Sequence, residues 1–458
     1  MVWRYTDAFV EIIWVNPAPR TPIAKEVNAP GRTTTKMNSP SIDRREPHMQ
    51  DQSQVPGKSA LLDRAQEHYF SMGTSDGTSS LCKMNMKYGI AKIHYLQESL
   101  GMNPNGFFIS TPDETISRNA ARWNSGFGYG GKLKWGPGDE KLVILDVKPN
   151  YCGILAGGLD TLPAPENLIS KITNYVNEEL TIDGFIIESD FHKSNHFIDL
   201  FEVTPHFGIE PPDWLSKFVF FIHGSCPELR DANKKGPGLY IDKSKFLRDA
   251  CHIVKTPFGP LHYLDGTDAR EYIDFCRYAD KFSKKKRLLV ARRLFGDFIE
   301  ISNATHQGLI DYNTLLLGSQ NTEDPGISTG CFPIALRGDL PAYLFKGRNN
   351  LDPEIIEILG FFKRAERLEL LDELKRANII PHGGGYKFED ISQVMRVFTV
   401  NDRRFFVCEL ENDTGMKIVE DVSALEFTYR GKEVIRKTTK LELGEPVAKL
   451  VPKYVLKI

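Results

Sequence analysis

NHFIDLFEV (residues 195–203) and KFVFFIHG (217–224) are short runs of aliphatic, aromatic and β-branched residues, each with a histidine at one end. Runs of this length and composition form strands. Asn195-His196 opens the first. His223 closes the second and is followed by Gly224-Ser225. A strand delivers a side chain at its end, and small residues there let the backbone turn away from whatever that side chain holds. Working outward, further strands are expected at KLVILDV (141–147), DGFIIES (183–189), DFIEIS (297–302), PAYLFKG (341–347) and RRFFVCEL (403–410). Helices are expected over Ala269–Phe295 and Pro353–Ala377; Asp352 is placed to cap the second, and Pro353 suits its first turn. This alternation predicts a mixed α/β fold. Residues 16–58 concentrate Pro, Thr, Ser, Asn and charge, so 1–58 read as a flexible N-terminal extension and 59–458 as one large domain.

Composition narrows the function. The net charge is −2, so no overall basic field draws nucleic acid, and any such binding needs a local patch. Seven cysteines are scattered without a CxxC pair, which reads as reduced thiols in a cytoplasmic protein. No apolar run approaches the roughly 20 residues of a membrane span.

Three glycine motifs fail in context. GFGYGG (126–131) satisfies GxGxxG, but a polar stretch precedes it and a strand follows, the reverse of a phosphate-binding turn. GTSDG (73–77) and GISTG (326–330) satisfy GxSxG, and PHGGGY (381–386) resembles an esterase oxyanion loop. The histidine then follows both serines and the oxyanion loop comes last, which is the wrong order for an esterase.

The histidines cohere better. His196 and His223 have been met; His306-Gln307-Gly308 follows DFIEIS; Asp146 lies near the end of KLVILDV, with Cys152-Gly153 beyond it. Asp, Cys and three His form a mixed ligand set for a divalent transition metal such as Mn, Fe, Co or Zn. His382 precedes Gly383, Gly384 and Gly385. Three consecutive glycines cost backbone entropy, so something needs to approach the backbone closely.

In order, KSNHFIDLFEV, FFIHGS, THQG, IALRGDLPAYLFKG, PHGGGY and the terminal VAKLVPKYVLKI resemble the GNHFLE, HSGSRG, HN, PGSMGTASYLV, HGAGR and lysine-ending segments of the RtcB family of RNA ligases. The resemblance runs from about residue 141 to the C-terminus. It implies an RtcB-like catalytic domain with mixed sheets around a central metal site. It implies ligation of RNA 3′-phosphate or 2′,3′-cyclic phosphate ends to 5′-hydroxyl ends, in tRNA processing or RNA repair, with GTP and two manganese ions. Asp146, Cys152, His196, His223 and His306 would then hold the metals, and His382 would carry GMP. Asn195, His196, Asp199, His306, Gln307, Arg337, Gly338, Asp339, Leu340, Gly383, Gly384, Gly385 and Lys457 would surround the guanine nucleotide. The implied partners are RNA and an archease-type activator, and the implied state is a monomer. Departures from the family are also visible: Asp146 and Cys152 are six apart instead of three, Gln307 replaces Asn, Asp199 replaces Glu and Tyr386 replaces Arg. A non-catalytic relative and a phosphodiesterase without ligation are the alternatives these departures motivate. The basic run KFSKKKRLLVARRLF (281–295) reads either as a phosphate track or as a solvated helix face covering Leu288, Leu289 and Leu294.

Overall fold

Strand Phe218–Gly224 is buried along almost its whole length, and its neighbour Cys152–Leu159 along all of it. Continuous apolar runs such as FVFFI belong in the middle of a sheet covered on both faces. The computed structural model places them there. It describes residues 57–456 apart from 192–194, 207, 209 and 414, so residues 1–56 and Lys457 lie outside the described residues. The chain divides between Met49 and Gln50, and the helix Lys58–Glu67 opens the described fold near the expected boundary.

The fold is mixed α/β, built on an eleven-stranded sheet. In spatial order its strands are Tyr69–Phe70, Phe107–Thr115, Tyr129–Lys134, Thr314–Leu317, Ile299–Leu309, Cys152–Leu159, Phe218–Gly224, Phe197–Thr204, Gly444–Val455, Ala342–Gly347 and Cys331–Ile334. Every neighbouring pair is antiparallel except the first. A long helix, Gly266–Phe295, packs across the middle strands. Its buried positions 269, 272, 276, 279, 283, 286, 290 and 294 recur every three or four residues, the spacing of one helix face. A second helix, Gly77–Ser99, is capped by Asp76, whose carboxylate accepts from Ser79 N at 2.9 Å. It covers the strand Phe107–Thr115 and the outlying sheet built on Ile391–Val400. No helix among the described residues is long and apolar enough to cross a membrane.

Four expectations need correcting. KLVILDV pairs only over Leu142–Ile144, with the hairpin strand Gly259–Asp265, and Asp146 falls in the turn beyond. DGFIIES is the far half of a tight hairpin, Thr181–Ile182 against Phe185–Ile186. Asp183 and Gly184 form its turn with positive φ (50° and 79°), which a strand does not admit. The helix over Pro353–Ala377 is three short helices, Pro353–Ile358, Phe362–Arg367 and Leu371–Lys375, interrupted at Gly360 (φ 70°) and Glu369 (φ 58°); the Asp352 side chain makes no cap bond.

The basic run is neither track nor solvated face. Lys286 and Arg287 are fully buried. Lys286 lies 2.9 Å from both Asp190 and Glu228, while Lys285 and Arg293 are held at the surface by Asp183 and Glu178.

Candidate metal centre

Four adjacent strands bring the donors together. His196 stands one residue before Phe197–Thr204, and His223 pairs with Phe197 on one side and Ile154 on the other. Cys152 opens the next strand. Opposite it, Gln307 pairs with Cys152 and Thr305 with Gly153, leaving His306 as the extra residue of a β-bulge. A bulge re-aims its side chain. Here that puts the His306 imidazole beside His223, with ring centroids 5.0 Å apart.

Sγ of Cys152 lies 2.9 Å from His223 Nε2 and 3.2 Å from His196 Nε2; His223 Nε2 lies 3.2 Å from His306 Nε2. His223 Nδ1 donates to the Asn195 carbonyl and His196 Nδ1 to the Asp190 carbonyl, both at 3.0 Å. A carbonyl only accepts, so both rings turn Nε2 inward. Burial holds His223 and His306 well below the usual histidine range, leaving neutral imidazoles. Burial opposes a charge on His196 as well, but Cys152 and Asp190 outweigh it and push that ring up to about 10.

Nitrogen lone pairs and a sulfur crowded this closely favour a cation among them. Bonds of about 2.0–2.3 Å put the ligand atoms of a tetrahedral zinc about 3.3–3.6 Å apart. The donor atoms of Cys152, His223 and His306 lie within 4.8 Å of one another. These residues therefore fit a divalent transition metal. One sulfur and three nitrogens suit zinc, iron or cobalt at least as well as manganese.

Asp146 does not join them. Its carboxylate accepts from His262 N at 2.6 Å and lies 3.1 Å from the His262 ring, which it raises by hydrogen bonding. With His262 and Cys251 it lines a separate cavity of about 420 Å³. The six-residue spacing to Cys152 spans a turn that carries the two apart.

Asp190 takes a supporting position that sequence reasoning missed. It lies 3.1 Å from His196 Nδ1, accepts from Ser225 N and Oγ at 3.0 and 3.1 Å, and pairs with Lys286. Burial would raise its carboxyl; His196 and Lys286 outweigh that and hold it well below the usual carboxylate range.

His382 leaves the strand Ile379–Pro381 and stacks on His306, with ring centroids 4.3 Å apart. Its Nδ1 lies 2.9 Å from Asp113 Oδ2, too bent for a well-aligned hydrogen bond but close enough for charge to act. The same oxygen accepts from the backbone N–H of His382 (3.3 Å) and Gly383 (3.2 Å). Nothing in FFISTPDET marks Asp113 as different from any polar residue near a strand end.

The chain's own backbone accounts for the three glycines. A Cβ on Gly383 would stand 2.6 Å from the Ala335 carbonyl oxygen, and one on Gly384 2.4 Å from that of Arg430. Gly385 has φ 65°, and its Cβ would meet the Asp113 carbonyl oxygen at 2.3 Å. Two of the N–H groups expected to face phosphate, those of His382 and Gly383, are already engaged by Asp113.

A cleft of about 800 Å³ opens over the cluster. Of the residues expected around a nucleotide, Asn195, His196, Asp199, Gln307, Arg337, Gly338 and Gly383–Gly385 line it. His306 sits fully buried beneath. Asp339 turns away to the surface, paired with Arg337, and neither it nor Leu340 lines the cleft. Tyr129, Phe197 and Tyr429 line it without having been singled out from the sequence.

Compared with protein-family models and with curated proteins, the chain matches none.

Two substitutions test the ligand assignment. Cys152→Ala is expected to weaken cobalt binding by about 100-fold or more, beyond the 10–100-fold that losing a supporting partner costs. Asp146→Asn is expected to keep wild-type metal content. Elemental analysis after dialysis reads both; metal lost from Asp146→Asn but kept by Cys152→Ala would reverse the assignment.

Proposed function

We propose that the chain is an RNA ligase of the RtcB type, joining RNA 3′-phosphate or 2′,3′-cyclic phosphate ends to 5′-hydroxyl ends through a histidine–GMP intermediate. One observation carries this reading: a buried imidazole, His382, stacks directly on a Cys/His metal-ligand cluster at the floor of a nucleotide-sized cleft.

The chemistry follows from the residues. A neutral imidazole is a competent nucleophile near pH 7. The Asp113 carboxylate favours a proton on His382 Nδ1, which leaves the Nε2 lone pair for the α-phosphorus of GTP. The N–P bond forms as the bond to pyrophosphate breaks. GMP then passes to an RNA 3′-phosphate, and a 5′-hydroxyl displaces it to form the phosphodiester. Arg337 on the cleft wall supplies positive charge to the nucleotide. A divalent metal held by Cys152, His196, His223 and His306 would neutralise phosphate charge during these transfers.

The test is incubation with α-labelled GTP and each of manganese, cobalt and zinc. Label is expected on the wild type in at least one metal and is expected to be absent from His382→Ala. Opening of cyclic-phosphate RNA ends without any label would replace ligation with phosphodiester hydrolysis. Label that survives in His382→Ala would remove His382 from the reaction.

A further inference from the structure

The chemistry above leaves one wall of the cleft unused. Arg122 is 5% exposed, and its guanidinium donates to the carbonyls of Val147 (2.8 Å) and Lys148 (2.7 Å) and to Ser117 Oγ (2.9 Å). Its hydrogens are placed, but among the described residues no carboxylate pairs with its charge. A buried cation without a counter-ion is costly, and such a group at a cleft surface fits an anion arriving in the cleft.

The residues beside it repeat the pattern. Lys148 is also buried and lies 4.9 Å from the centre of the Tyr240 ring. Its carboxylate partner, Asp242 at 2.8 Å, has a side chain 49% exposed, so phosphate can displace it at little cost. Arg230 lies over the same ring at 5.7 Å, and Lys243 continues the rim. Asp242 and Glu188 are the carboxylates on this stretch of lining. The cleft's volume of about 800 Å³ sits near the top of the about 300–1,000 Å³ that single small-ligand pockets occupy. Cations strung along an aromatic surface, leading to a metal cluster, match the way single strands are held.

We infer that Arg122, Lys148, Arg230 and Lys243, arranged around Tyr240, form the track that holds the phosphate backbone of a single-stranded RNA end in the cleft. The identity of the strand as RNA rests on the ligase reading; the track as a polyanion site does not.

The rim residues Arg230 and Lys243 are exposed, so their reversal should leave the fold intact; an unchanged melting temperature and metal content check this. Binding of a short fluorescent single-stranded RNA is followed by anisotropy across a salt series. The double variant Arg230→Glu/Lys243→Glu is expected to bind about tenfold or more weakly at low salt. Its log-affinity against log-salt slope should be shallower by about two, one per lost phosphate contact. Asp242→Asn, which removes the competing carboxylate, is expected to bind more tightly. Affinity and slope unchanged in the double variant would overturn the proposal, as would an acidic peptide competing as well as RNA. The two readings fail separately. Strand binding that depends on Arg230 and Lys243, with no label on His382, retires the ligase reading and leaves the track. Label on His382 with no such dependence retires the track alone.

Discussion

Asp113→Asn is expected to slow the covalent labelling of His382 by about 10²–10⁴-fold, the range seen when a carboxylate that sets a catalytic imidazole's tautomer is neutralised. The substitution changes no volume. It removes the charge 2.9 Å from His382 Nδ1 and with it the preference for a proton on that nitrogen. The ring then populates the tautomer whose Nε2 is blocked by hydrogen. Asp113 is fully buried and also accepts from Thr111 Oγ1 at 2.6 Å, so the asparagine has partners and the loop is held. Single-turnover labelling with α-labelled GTP measures the rate. A rate within about threefold of wild type would mean that His382 does not need Asp113, and the nucleophile assignment would lose its support.

Lys286→Met carries the largest expected cost in stability, about 3–5 kcal/mol, because it strands Asp190 and Glu228 as buried charges. The ammonium is 1% exposed and lies 2.9 Å from each carboxylate. The two carboxyls respond differently to the site. Burial pushes Glu228 up, whereas the contacts to His196 and Lys286 hold Asp190 down. A carboxyl held below its unfolded value adds stability that is present above about pH 4 and is lost as the pH falls toward its folded value. Wild type should therefore lose this contribution only in acid, and Lys286→Met should lack it at neutral pH. Urea unfolding at pH 7 and pH 3 measures both. A cost near zero at pH 7 would show that Asp190 and Glu228 find other partners. Because Asp190 also holds His196, weaker metal binding should accompany the loss of stability.

These two predictions rest on residues that local sequence did not mark. Lys286 sits in KKKR beside lysines that face solvent, and only the helix's rotation against the sheet separates it from Lys285. Asp113 is 269 residues from His382 along the chain and Asp190 is 96 from Lys286, separations at which spacing carries no information. Asp146 failed for the converse reason. It is close to Cys152 in sequence, but a turn after Ile144 sends its carboxylate to His262. The helix expected over Pro353–Ala377 also shows the limit of periodicity, since apolar spacing continues through Gly360 and Glu369 although the backbone does not.

By itself the sequence determined the class of fold, the central strands and the donor-bearing strand ends. Apolar runs such as KFVFFIHG have few ways to leave water, and histidine, cysteine and glycine keep their chemistry wherever they are placed. The tertiary structure alone decided which donors share a site. It registered four strands side by side, bulged one of them at His306, and brought charges from distant segments behind the cluster. Contacts of that kind form only when separate elements pack, because each buried charge must find its partner in whatever segment the fold brings near.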